Sequence, residues 1–138
     1  MLFIFAVLAV GCTDKPADTA EDVVFGGPTE GSTEEGGYTV RYQSDPDPIP
    51  LSEGFTVTTT VLDADGAALP DVEVVVDGWM PEHGHGMNTV ASTAPDGHGG
   101  YLTEGLLFHM PGAWEILVDV TADGVTERAT LPYACCAD

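Results

Sequence analysis

Cations are scarce in this sequence: three Lys and Arg stand against 23 Asp and Glu in 138 residues, for a formal net charge of −20. A chain with so few positive side chains cannot build the basic face that phosphate recognition requires, so nucleic acid is excluded as a partner. An electrostatic docking surface for anionic lipid headgroups is excluded on the same ground. Cysteine is also sparse, with three in all, too few for a disulfide-built scaffold. No apolar run reaches the length that spans a bilayer as a helix, and no segment carries a convincing helical stripe. The length suits one ordinary domain. High net charge is one mark of disorder, yet 43% of the residues are hydrophobic, so a core can form if charge and apolar side chains are segregated.

Segregation is visible along the chain. Residues 1–11, MLFIFAVLAVG, are uncharged and almost wholly apolar, and Cys12 follows. As a helix this run spans about 15 Å, half of a bilayer core, which fits the apolar region of a signal peptide. Ala9-Val10-Gly11-Cys12 resembles a bacterial lipobox, in which the cysteine is lipidated and becomes the first mature residue. No Lys or Arg precedes the run, and Ala9 stands where leucine is commoner. The alternative is a plain secretory signal with a chance cysteine; both imply export. Residues 12–37 read as the lipidated Cys12 followed by a flexible acidic linker. Gly, Pro, Thr, Asp and Glu dominate there, and only Val23, Val24 and Phe25 are available for burial. Such a tether gives a domain reach from the membrane, with the lipid as its only membrane contact.

From Tyr38 to Asp138 the pattern becomes period-two alternation broken by turn signals. Tyr38–Tyr42 is a strand ended by Asp45-Pro46-Asp47-Pro48. Phe55, Val57, Thr59 and Val61 share one face of a second, and Val72, Val74 and Val76 mark a third that runs into Trp79. Tyr101–Met110 holds one or two more. Trp114, Ile116, Val118 and Val120 line another, and Asp123-Gly124 is a hairpin signal before Val125–Leu131. About seven short strands predict an all-β fold, an immunoglobulin-like antiparallel β-sandwich. Glu73, Asp77, Glu115 and Asp119 alternate with the apolar residues and belong on solvated faces.

One segment departs from this texture. Trp79-Met80-Pro81-Glu82-His83-Gly84-His85-Gly86-Met87 holds two of the four histidines and two of the four methionines. Random scatter would give such a window about half a His or Met. Neutral imidazole and thioether are both metal donors, and the soft thioether selects copper, Cu(I) above Cu(II), over zinc. Gly84 and Gly86 permit a tight fold, and His-x-His on an extended segment points both rings to one side. The competing reading makes Trp79 and Met80 a cap on the sandwich core, with the histidines as loop residues. Further donors stand in His109-Met110 and at His98. Alternation from Phe108 puts Met110 on its face and His109 on the opposite one, so one of the two is expected at a shared site. His98, in Pro95-Asp96-Gly97-His98-Gly99-Gly100, reads as a solvated turn residue.

The Trp79–Met87 segment, then Gly100-Tyr101, then Phe108-His109-Met110-Pro111-Gly112-Ala113-Trp114, resembles the YtkA-like family. Asp63-Ala64-Asp65-Gly66-Ala67-Ala68-Leu69-Pro70-Asp71-Val72 fits the turn before one of that family's strands. The resemblance covers most of residues 38–131. It implies an exported immunoglobulin-like sandwich, often lipid- or membrane-anchored and associated with copper handling. Met80, His83, His85 and Met87 match its loop, and Met110 matches the methionine before Gly-x-Trp; His109 and His98 are not fixed by the pattern.

Cys135 and Cys136 are adjacent. In an oxidising compartment they are open to three readings: a strained vicinal disulfide, accessory thiolates for a metal, or partners to other chains. Their place beyond Leu131 sets them past the last expected strand. An enzyme is not expected. Glu82-His83 lacks the second histidine of a zincin helix, and no Ser or Cys stands in a nucleophile elbow. The expectation is therefore an exported lipoprotein facing the periplasm or cell exterior that stores copper or delivers it to an envelope protein. Met80, His83, His85, Met87 and Met110, with His109 where it reaches, are its expected donors. The alternatives are a non-catalytic interaction module of an envelope complex and a histidine-only zinc or nickel domain.

Overall fold

Alternating Val, Thr and aromatic residues cannot bury their apolar face in a single sheet, so two sheets close on each other. The computed structural model describes residues 24–136. It contains nine strands: β1 (Glu30–Ser32), β2 (Thr39–Asp45), β3 (Gly54–Leu62), β4 (Glu73–Met80), β5 (His85–Gly86), β6 (Ser92–Pro95), β7 (Tyr101–Leu107), β8 (Gly112–Ala122) and β9 (Val125–Cys135). One sheet has the order β1-β2-β3-β7-β6 and the other β5-β4-β8-β9, with every neighbouring pair antiparallel. No helix among the described residues is long and apolar enough to cross a membrane.

The all-β sandwich matches the alternation in the sequence. Val57, Thr59 and Val61 of β3 face inward, as do Val74 and Val76 of β4 and Trp114, Ile116, Val118 and Val120 of β8. Glu73 and Asp77 point outward. The hairpin at Asp123-Gly124 takes positive φ at both residues, 51° and 77°, the mirror-image turn that suits the twist of paired strands.

Four features differ from the expectation. The strand count is nine rather than about seven, because β1, β5 and β6 are two to four residues long and carry no apolar alternation. The end of the expected 12–37 linker lies on the domain. Gly26 exchanges backbone hydrogen bonds with Ala134 (2.9 and 2.8 Å), and Glu30–Ser32 pairs with Thr39–Arg41. Thr33 is buried; its Oγ1 donates to Glu127 Oε1 at 2.9 Å and accepts the Tyr38 N–H at 3.1 Å. Third, β9 runs to Cys135 rather than stopping at Leu131. Pro132 is tolerated because β9 is an edge strand of its sheet. Fourth, Trp79 remains 38% exposed on the outer face, so it does not cap the core.

Among the described residues the cations are Arg41 and Arg128. Arg41 pairs with Glu30 across β1 and β2, and Arg128 holds Asp119 through two bonds of 2.7 and 2.8 Å. The Asp119 carboxylate raises the Arg128 pKa.

Candidate metal centre

The hairpin from β4 to β5 supplies the first donors. After Met80 the chain turns through Pro81–Gly84, and the Met80 carbonyl accepts the N–H groups of His83 (3.2 Å) and Gly84 (2.9 Å). Gly84 has φ +67°, where a side chain would be strained. The turn delivers His85 directly opposite Met80 in the antiparallel register. Directly opposed residues share a sheet face, so His85 and Met80 lie on the same side. Trp79 pairs with Glu115 on β8, and Trp114 pairs with Tyr133 on β9. One inward row therefore runs His85, Met80, Trp114, Tyr133 across the four-stranded sheet.

Three imidazoles gather at this row. The ring centroids of His83 and His85 are 5.7 Å apart, and those of His85 and His109 are 5.3 Å apart. Two imidazoles bound to one ion through nitrogens at about 2 Å place their centroids roughly 5 Å apart, so both separations suit a shared ion. His85 and His109 each stand edge-on to Trp114, at 6.3 and 5.6 Å. His85 Nδ1 lies 2.9 Å from the Gly86 carbonyl, which can only accept. In the neutral ring this contact favours the tautomer with hydrogen on Nδ1, which leaves the Nε2 lone pair for a ligand. His109 Nδ1 is buried without a hydrogen-bond partner. Leaving such an atom unpaired costs about 1–3 kcal/mol, and an ion is one of the few things that would offset it.

His109 and Met110 follow β7, which ends at Leu107. Past that point the backbone turns, His109 joins His85, and Met110 packs half-buried against the core. The Met110 carbonyl accepts the Trp114 Nε1–H at 2.8 Å and fixes the indole, which stacks on Phe108 at 4.3 Å.

Met80 is set deeper than any of the histidines, while Met87 and Met110 are half-buried like His85 and His109. Met80 is fully buried and serves the core as well as the site. Met87 is half-buried, and its Sδ accepts the Leu107 N–H at 3.4 Å. Its thioether lies against Gly78, where a Cβ would sit 3.1 Å from the sulfur and 2.7 Å from Phe108. Among the described residues no three His, Cys, Asp or Glu converge closely enough to hold an ion by themselves. Imidazole and thioether together are a donor set whose chemistry suits copper better than zinc.

His98 stands apart on the exposed β6–β7 turn, its N–H donated to Asp96 Oδ1 at 2.6 Å. That bond comes first among the causes that lower the Asp96 pKa. Cys135 and Cys136 form a disulfide with each other, and both are buried. Cys12 and the apolar leader lie outside the described residues. The roles of Gly78 and Trp114 were not visible in the sequence, since each acts through a contact made across the fold.

A family model described as YtkA-like matches residues 32–119, more than half of the chain. No curated protein and no solved structure matches it.

Proposed function

The chain belongs to the YtkA-like family, and from that premise we propose that it is an exported, lipid-anchored, non-enzymatic copper carrier. It takes up Cu(I) at the end of the sandwich and stores it or passes it to an envelope protein. The observation that carries this reading is that His85, paired opposite buried Met80, has the ring centroids of both His83 and His109 within 5.7 Å. His85 and His109 are the principal imidazole donors, and exposed His83 is the one an incoming partner meets first. Met80, Met87 and Met110 supply soft sulfur. Mixed imidazole and thioether ligation accommodates both copper oxidation states, and it exchanges ligands readily because no donor is a tightly held anion. The acidic surface concentrates cations without choosing among them, so the choice falls to these side chains.

A histidine-only zinc or nickel site is the second reading, resting on the same imidazoles without the neighbouring thioethers. Metal analysis of protein from copper-supplemented and zinc-supplemented cells separates the readings. Copper held at one ion per chain, and lost in His85→Ala with His109→Ala, is the expected result. Zinc retained in Met80→Leu with Met87→Leu would establish the histidine-only site. An empty protein from both cultures would leave an interaction module. Metabolic labelling with a fatty acid, abolished by Cys12→Ser, tests the anchor.

A further inference from the structure

The outer face of the four-stranded sheet carries more apolar surface than a merely solvated face needs. Val75 and Trp79 of β4 are 49% and 38% exposed, on the side opposite buried Val74, Val76 and Met80. The register orders their neighbours on that side. Trp79 stands opposite Glu115 of β8, and Glu115 opposite Pro132 of β9. Two residues along each strand, Asp77 stands opposite Leu117, and Leu117 opposite Thr130. A depression of about 340 Å³ is lined by Glu34, Trp79, Glu115, Leu117, Arg128 and Thr130. On the other side of the Glu115 row, Ala113, Pro132 and Ala134 line a second one of about 310 Å³ together with the Gly26–Pro28 segment. Charge on this face is unbalanced. The Arg128 guanidinium is held by Asp119 through two bonds of 2.7 and 2.8 Å. Glu34 and Asp77 act on the same guanidinium from farther off. With Glu115, which has no ion pair among the described residues, the patch holds more carboxylates than its one cation can balance.

We propose that this face is a docking surface for a partner protein that presents an Arg or Lys side chain between apolar neighbours. The cation lies on the Trp79 indole and donates to the Glu115 carboxylate beside it. Its apolar neighbours cover Leu117 on one side and Ala113, Pro132 and Ala134 on the other. Tryptophan and arginine are the residue types that most often carry the binding energy of an interface, and here the indole is supplied while the arginine is missing. An acidic partner is repelled by the uncompensated carboxylates, and a second copy of this chain brings the same surplus of its own. The inference stands on this surface alone and does not depend on a bound metal. Its bearing on the copper reading is positional. Trp79 also pairs with Gly86, so a partner seated on the indole lies against the hairpin that carries His83 and His85.

The probe is the peptide acetyl-Ala-Leu-Arg-Leu-Ala-amide, titrated at low ionic strength into isotope-labelled, metal-free full chain and followed by NMR. Its control carries citrulline, neutral and of nearly the same shape, in place of arginine. The arginine peptide is expected to give saturable shifts of the Trp79 indole N–H and of the Glu115 and Leu117 amides. Thr58 and Thr60, on the outer face of the opposite sheet, should stay still. The citrulline peptide should bind roughly fivefold or more weakly, and Glu115→Gln and Trp79→Ala should each weaken the arginine peptide by a similar factor. Equal binding of the two peptides overturns the proposal, and this wild-type comparison gives the answer even if a variant misfolds. Absence of saturable shifts overturns it, as do shifts spread over the acidic residues of both sheets, which would mean unselective attraction. Full binding retained in both variants overturns it too. A concentration-dependent movement of the same signals without peptide overturns it in favour of self-association. Because no metal is present, none of these outcomes bears on the copper titration.

Discussion

His85 and His109 lie with ring centroids 5.3 Å apart, although one is in the β4–β5 hairpin and the other follows β7 in the opposite sheet. The two imidazoles thus approach each other from opposite sheets at this end. His109→Ala is expected to weaken Cu(I) binding about as much as His85→Ala, by roughly tenfold or more each. The double variant should fall short of the product of the two, since donors on one ion do not act independently. His98→Ala should leave affinity unchanged. Chelator competition on the four variants reads all of this.

Gly78 holds the site from behind. Its alanine variant would place a methyl 2.7 Å from the Phe108 ring and 3.1 Å from Met87 Sδ, on a buried strand position. Overpacking of this kind costs about 1–3 kcal/mol. Gly78→Ala should therefore lower the urea midpoint and displace Met87, weakening copper binding, whereas Gly66→Ala on an open turn should spare the metal.

Gly84 tests the hairpin alone. Its φ of +67° disfavours a side chain by about 1–2 kcal/mol, and nothing crowds the space around it. Gly84→Ala should shift His85 more than it destabilises the fold. Copper affinity is expected to drop while the thermal midpoint moves by a few degrees; Gly84→Asn should recover part of the loss.

Tyr42 makes the fold sensitive to alkali. Its hydroxyl is buried without a partner, and burial, then the neighbouring Tyr133 and Asp47, push its pKa up to about 12 from 10.0. A raised pKa means that the folded chain holds the proton more tightly than the unfolded one. The stabilisation is complete below pH 10 and is lost as pH rises toward 12, by about 3 kcal/mol in full. Burial raises the Tyr133 pKa too and adds in the same direction. Urea midpoints should fall as pH rises from 10 toward 12. Tyr42→Phe should flatten part of that fall and be neutral or stabilising at pH 7, because it removes an unpaired hydroxyl.

How much the chain discloses in advance depends on what holds each part in place. Phe55, Val57 and Val61, or Trp114, Ile116 and Val118, declare their strands because side-chain burial does the work, and burial has a period. The β1 strand, Glu30-Gly31-Ser32, is held by backbone pairing to β2, and backbone pairing leaves no mark in residue type. The same holds for Gly26 against Ala134, which is why the linker looked free along its whole length. His83, His85, Met80 and Met87 stood out by composition alone. Alternation from Phe108 set His109 and Met110 on opposite faces, and only the fold beyond Leu107, where β7 stops, puts His109 beside His85. Cys135 was set past the last expected strand, which was ended at Leu131, although β9 continues to it through Pro132 on a sheet edge. Contacts such as Met80 on Gly112 are tertiary facts, and no window along the chain contains them.

The pairing of Arg41 with Glu30 and of Arg128 with Asp119 has a further consequence. Each described cation is occupied by a neighbour, so the surface meets other molecules with a field of one sign. Two copies approach each other uphill at low ionic strength, while a basic partner is drawn in, with a rate that falls as salt screens the field.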